Sequence, residues 1–202
     1  MNKKNYLLDL NNSKKPFIIY KSDKGFDLYT DFSKKIILNN NNIEKFINEN
    51  NRLKLPYKET DLFIGFFGYE ILNNLIEVKI KKQKTINFPK GIFYKPETKI
   101  KLPNNLEYKK TRSLKSNDLF KININKKSYK VIFDKFKKKI KSGETYQIKI
   151  CTKYSNKSEI DALDFFSRLV KSNMAPEAFM IKDKNYSIIS CAPENLITKK
   201  NN

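Results

Sequence analysis

The stretch GETYQIKICTKY, residues 143–154, decides how this chain is read. Tyr146, Ile148, Ile150, Thr152 and Tyr154 alternate with Thr145, Gln147, Lys149, Cys151 and Lys153. Such period-two alternation predicts a strand with one packed face and a second face able to line a polar site. On its amino side the spacing predicts a helix capped by Ser128 and running to about Lys141. Val131, Ile132, Phe136, Lys139 and Ile140 lie near one stripe, and Ser142-Gly143 supplies the stop. On its carboxyl side Ser158 opens a second helix, with Ile160, Leu163, Phe166 and Val170 inward. Residues 177–182 and 185–191 form a hairpin around Asp183-Lys184, and a further strand starts near Asn195.

The first half of the chain is built from shorter pieces. FIIY (17–20), FDLYT (26–30) and IIL (36–38) read as antiparallel strands separated by turns. The Asn run at 39–42 offers a cap for a short helix carrying Ile43, Phe46 and Ile47. Residues 62–69 read as a buried strand, in which Gly65 and Gly68 mark a bulge or a close backbone approach. A helix is expected over 70–80, and strands over 91–94 and 98–102. Residues 103–118 are polar and aperiodic, the best linker candidate. The fold class is therefore α+β, with antiparallel β-sheets and flanking helices. The expected division is an amino-terminal region at 1–118 and a second region from 119 to 202.

Composition narrows the chemistry. Fifteen Phe and eleven Tyr in 202 residues supply core area, while five Gly leave no glycine-rich phosphate loop. With no His, neither His-based metal sites nor Ser-His or Cys-His nucleophile pairs can form in this segment. Cys151 and Cys191 are too few and too far apart for a zinc motif or a disulfide framework and read as reduced thiols. The formal charge of +21 raises a basic nucleic-acid-binding module as the reading from a different class. Against it, the excess is Lys spread along the whole chain, with Arg only at 52, 112 and 168, and A/T-rich codon usage accounts for it. No apolar run reaches signal-peptide or membrane-span length, so a cytoplasmic protein with no membrane or nucleic-acid partner is expected.

Gly143–Tyr154 resembles the G-[DE]-x-[FY]-Q-[VI]-x-[LI]-[SC]-x-[RK]-[FY] strand of the chorismate-binding enzymes, which include anthranilate synthase component I and aminodeoxychorismate synthase component I. Asn173-Met174-Ala175-Pro176 is similar to that family's N-P-[SA]-P turn, with Met in place of the first Pro. Ile188–Glu194 resembles its strand ending in S-[SC]-[SA]-P-E, and Phe63–Glu70 its G-x-x-G-Y strand. The resemblance implies part of a two-sheet sandwich of the anthranilate synthase component I type. It implies an enzyme that binds chorismate with magnesium and replaces or displaces a ring hydroxyl. The nitrogen comes from ammonia or a glutamine amidotransferase subunit. Aminodeoxychorismate synthase, acting at C4 for para-aminobenzoate and folate synthesis, is the member expected. Anthranilate synthase, acting at C2 with loss of pyruvate, is the alternative.

Two site residues are implied by the resemblance. Glu194 matches the family's glutamate at the chorismate ring, a general acid or positioning carboxylate; outside the motif it would read as a surface carboxylate at a strand end. Gln147 occupies the substrate-binding position where water-using members carry a basic Lys. Glutamine cannot take a proton from water, which points to an ammonia-using member. Ser22, Asn173, Ala175 and Pro176 would border the effector pocket that holds tryptophan in anthranilate synthases. However, no L-L-E-S segment is recognisable near Phe17–Ser22, and Met174 and Glu177 depart from the tryptophan-regulated pattern. The magnesium ligands, the ligands of the chorismate carboxylates and the T-[RK]-P-I-x-G-T motif are expected beyond residue 202. The 202-residue chain alone is accordingly expected to be inactive and poorly stable.

Overall fold

The computed structural model describes residues 3–50, 61–71, 76, 88–106, 108, 120–157 and 160–192. Two compact units emerge: Met1–Lys109 with Ala162–Asn202, and Lys110–Asp161.

The first unit is organised by a six-stranded antiparallel sheet. Its strands are β1 (Phe17–Ser22), β2 (Gly25–Ile37), β3 (Ile64–Phe67), β4 (Gly91–Leu102), β7 (Ala178–Lys182) and β8 (Ser187–Ser190), in the order β3-β4-β2-β1-β7-β8. The numbers β5 (Lys121–Ile122) and β6 (Tyr154–Ser155) belong to the second unit. The sheet thus draws strands from both ends of the sequence, with β1 pairing β7 from Phe17↔Lys182 to Lys21↔Ala178. The α+β class and the 178–190 hairpin follow the sequence expectation.

One face of the sheet is covered by α1 (Lys3–Asn12) and α4 (Ala162–Asn173). Leu163, Phe166 and Val170 of α4 and Leu7 and Leu10 of α1 pack on Phe17, Ile19, Phe26, Leu28 and Met180. The i, i+3, i+7 spacing on α4 is what puts one stripe on the core. Ile160, expected inward, is exposed, because the helix begins at Ala162 and leaves Ile160 outside the helical period. Residues 3–12 carry no element in the sequence reading. Their helix is held by its neighbours: the Lys182 ammonium donates to the Asn11 carbonyl and side-chain oxygens at the α1 carboxyl end, and Asn11 Nδ2 donates to Tyr108 OH at 3.2 Å. Tyr108 and Leu106 therefore pack on the core rather than acting as linker; 107 and 109–118 lie outside the described residues.

Two expected strand pairs are each one strand. The polar residues 31–35 do not turn the chain; Asp31 sits at φ 53 and the register shifts between Phe32 and Lys34. A bulge of this kind absorbs an extra residue and redirects side chains without ending the strand. Phe26 and Leu28 face the helix-covered core, whereas Phe32 packs on Tyr94 at 5.0 Å in a second cluster with Ile18, Ile92 and Ile181. Likewise Pro96 interrupts nothing in β4. It lies opposite the bulge and beyond β3, which pairs only with 91–94, so its missing N–H costs no ladder bond on that side.

The glycine expectation at 65 and 68 holds as a close approach. A Cβ on Gly65 would come within 2.0 Å of the Ile92 carbonyl oxygen. The strand at 62–69 narrows to 64–67, followed by a 3-10 turn at Tyr69–Ile71; most of the helix expected over 70–80 lies outside the described residues. α2 (Ile43–Asn50) follows the Asn turn as expected, with Asn42 Oδ1 accepting the Asn39 N–H at 2.8 Å. Its buried Ile43 and Phe46 pack with Leu38, Ile71 and Phe93.

The second unit holds α3 (Lys126–Lys141) and the two-residue ladder β5–β6. Asn125, not Ser128, caps α3: its Oδ1 accepts the Ser128 N–H at 2.8 Å. A cap oxygen reaches a donor two or three residues on, so Ser128 is the partner of the cap. Gly143, at φ 78, ends the helix as expected.

Candidate functional site

The corner between β1 and the turn after α4 gathers most of the sequence-derived site residues of the first unit. β1 ends at Ser22, whose Oγ accepts the Lys24 N–H at 3.2 Å. One residue earlier, Lys21 Nζ donates to the Ala175 carbonyl at 2.5 Å and the Pro176 carbonyl at 3.2 Å. Asn173, the last residue of α4, donates from Nδ2 to the Cys191 carbonyl at 3.1 Å. Ala175 is buried. The β1–β7 register creates this arrangement, because pairing Lys21 with Ala178 delivers the 174–176 turn to the β1 end. Lys21 joins the corner unannounced by the sequence, since only strand pairing brings it to the 174–176 turn. Burial pushes the Cys191 thiol up despite the opposing Lys21 ammonium, so it stays protonated at neutral pH. Burial, then the neighbouring Glu177 carboxylate, raises Tyr20.

Met174 sets the shape of the turn. It sits at φ 47, a conformation that a proline ring, locked near −65°, cannot adopt. The family's Pro at this position therefore does not fit the turn seen here. Met174 is also 81% exposed, so its side chain packs on little. Met174→Pro is expected to destabilise the first unit by about 2 kcal/mol. Met174→Gly should raise stability by roughly 0.5 kcal/mol or leave it unchanged, because glycine tolerates positive φ. Urea midpoints followed by circular dichroism measure both.

Gln147 lies in the second unit, exposed, with Thr145 Oγ1 donating to its backbone carbonyl at 3.1 Å. The expected strand over 145–154 is not formed. Only Tyr154-Ser155 enters a ladder, with Lys121-Ile122, and Asn123 Oδ1 accepts the Lys153 N–H at 2.6 Å. Ile148, Ile150 and Thr152 are less exposed than Gln147, Lys149, Cys151 and Lys153, but Tyr146 and Tyr154, expected on the packed face, are 91% and 60% exposed, so the alternation holds only over 147–153. A ladder needs a neighbour about 4.8 Å away, and 145–153 has none among the described residues. Glu194 and the strand expected near Asn195 lie outside the described residues, which end at Ala192 just past β8.

A second polar cluster, not anticipated from sequence, lies in the first unit. The Lys35 ammonium and the Tyr94 hydroxyl donate to Asp183 Oδ2, and Tyr186 OH stands 3.1 Å from that oxygen and 3.0 Å from Tyr94 OH. Burial would raise the Asp183 carboxyl, but hydrogen bonds from Lys35, Tyr94 and the Lys184 N–H outweigh it and hold it down at about 2. Burial and donation to Asp183 push Tyr94 far above its ordinary value. Burial, with the Asp183 charge, lifts Tyr186 to about 12. Both phenols therefore remain donors, and the cluster ties β2 and β4 to the β7–β8 turn.

Among the described residues no three His, Cys, Asp or Glu side chains lie close enough to hold a metal ion. No described helix is long and apolar enough to cross a membrane.

Comparison with known proteins agrees with the family resemblance. Anthranilate synthase component 1 of Buchnera aphidicola subsp. Pemphigus spyrothecae is 27% identical over 181 residues, covering 71% of this chain and 34% of that relative. The chain thus spans about a third of the length of the curated relative it matches. The family description "chorismate binding enzyme" matches residues 3–202, nearly the whole sequence, and the chain belongs to the chorismate binding enzyme family.

Proposed function

We propose that the protein to which this chain contributes aminates chorismate, using ammonia or a glutamine amidotransferase subunit, with magnesium as cofactor, in the cytoplasm. The observation that carries the reading is Gln147 at the family's strand position, inside a family match covering residues 3–202. A glutamine amide donates and accepts hydrogen bonds but cannot hold a proton taken from water, so water is not activated there. Ammonia is nucleophilic as the neutral molecule and needs no such base, and the ammonium formed on attack releases its extra proton afterwards. The new C–N bond forms, the ring C–O bond breaks, and the hydroxyl leaves as water with a proton supplied by an acid. Glu194 is the proposed acid.

Attack at C4 without loss of pyruvate, as in aminodeoxychorismate synthases, is the reading we favour. It is supported by the turn at Met174, whose positive φ excludes the proline of the tryptophan-regulated pattern. Attack at C2 with pyruvate release is the second reading, favoured by the name of the Buchnera relative. Incubating the complete protein with chorismate, magnesium and ammonia distinguishes them. 4-Amino-4-deoxychorismate without pyruvate is expected. Anthranilate with equimolar pyruvate would support the second reading, and isochorismate or salicylate alone would overturn amination.

A further inference from the structure

The carboxyl end of α4 meets β1 through a lysine whose charge is answered by carbonyl oxygens alone. Strand alternation puts Lys21 on the same face of the sheet as Phe17 and Ile19, the face that α1 and α4 cover. The pairing of Lys21 with Ala178 then brings its side chain to the turn that follows α4. Its ammonium donates to the Ala175 carbonyl at 2.5 Å and to the Pro176 carbonyl at 3.2 Å. Among the described residues these carbonyls are its only hydrogen-bond or ion-pair partners.

The turn needs a donor at this point. The Met174 N–H closes α4 on the Val170 carbonyl at 3.1 Å, and the positive φ of Met174 then swings the chain out of the helix. Ala175 follows at 6% exposure, and a buried carbonyl that water does not reach needs a partner. Among the described residues no backbone N–H reaches the Ala175 or the Pro176 carbonyl. Two carbonyls converging just past a helix carboxyl end make a position for a cation that donates hydrogen bonds. A divalent metal asks for more oxygens than these two. A primary ammonium, with three donors, suits the position whether it belongs to a side chain or to a free molecule.

We propose that Lys21 is a tethered ammonium that fills the cation position of this corner, seats the 174–176 turn and closes the corner to a free primary-ammonium ligand such as an amino acid. Asn173, Ala175 and Pro176 carry the resemblance to an effector pocket, yet the two carbonyls able to take an effector's ammonium are already satisfied from within the chain. A free ligand must displace a side chain whose tether keeps it at high effective concentration. Lys21 is thus a positioning residue that acts on ligand choice through the turn. The proposal rests on the geometry of this corner and not on the amination chemistry.

The test compares the 202-residue chain with its variants Lys21→Ala and Lys21→Met. Lys21→Ala opens space beside the carbonyls, whereas Lys21→Met keeps the apolar stem and removes the charge. Both are expected to lower the urea midpoint by about 1 M, because the carbonyls lose a charged donor. Methylammonium chloride should restore roughly half of that loss or more in Lys21→Ala. It should restore nothing in Lys21→Met, whose side chain blocks the position. Tetramethylammonium chloride at the same concentration has no N–H donor and should restore neither, which separates hydrogen bonding from a general salt effect. The wild type should respond neither to methylammonium nor to tryptophan, the amino acid that the resemblance names. A Lys21→Met midpoint equal to that of the wild type would reduce Lys21 to a packing stem and overturn the proposal. So would failure of methylammonium to restore Lys21→Ala, equal restoration by both salts, or a wild-type midpoint raised by tryptophan. Where a variant shows no cooperative transition, amide exchange at Met174 and Glu177 in Lys21→Met decides: acceleration by roughly tenfold or more is expected, and an unchanged rate overturns the proposal. None of these readouts uses turnover, so their failure leaves the proposed function standing.

Discussion

Glu194→Gln in the complete protein is expected to lower turnover of chorismate by about 10²–10⁴-fold, the usual contribution of a general acid, with binding changed by no more than a few-fold. Glutamine keeps the shape and the hydrogen-bonding reach of the side chain and removes the proton. Hydroxide is a poor leaving group, so the barrier to breaking the ring C–O bond rises when the proton must come from water instead. A residue that merely positions substrate would give a different split, with KM raised and kcat kept. Steady-state kinetics over a range of pH therefore decide between the roles. The acid limb of the wild-type profile should be kept and its basic limb should vanish in the variant if Glu194 is the acid. A drop in turnover below roughly threefold would remove it from that role.

Asp183→Ala is expected to destabilise the first unit by about 3–4 kcal/mol, near the cost of breaking a buried ion pair from one side. The Asp183 side chain is only 9% exposed and takes donors from Lys35, Tyr94 and the Lys184 backbone. Removing it strands a lysine ammonium and two phenols whose hydroxyls point at each other across 3.0 Å. Because Lys35 is 38% exposed and can turn to water, the loss falls short of the full range for a buried pair. Tyr94→Phe keeps the ring against Phe32 and should cost about 1–2 kcal/mol, the price of one hydrogen bond to a charged acceptor. The acid dependence has a fixed sign. The Asp183 carboxyl is held below its ordinary 3.8 at about 2, so its contribution is complete above the ordinary value and is lost as pH falls through about 2. Urea midpoints of the wild type should therefore decline below pH 4 or so and those of Asp183→Ala should decline less. Equal slopes would mean that other carboxylates carry the acid limb.

Local pattern alone fixed several features. The stripe Leu163, Phe166, Val170 put α4 on the core, because helical period depends only on spacing along the chain. The hairpin around Asp183-Lys184 and the tight glycine at 65 were legible for the same local reason. Family membership was legible as well, since short motifs in a fixed order survive low overall identity. The tertiary structure decided the rest. Residues 31–35 look like a turn and are a bulge, because a paired β4 on one side keeps β2 extended. Residues 145–153 look like a strand but enter no ladder among the described residues, because alternation chooses a face while a ladder requires a neighbour. The meeting of Lys21 with Ala175, and of Tyr94 and Lys35 with Asp183, joins residues separated by 154, 89 and 148 positions. Such meetings are set by strand register and by the course of the sheet, and neither is written in the spacing of residues along one segment.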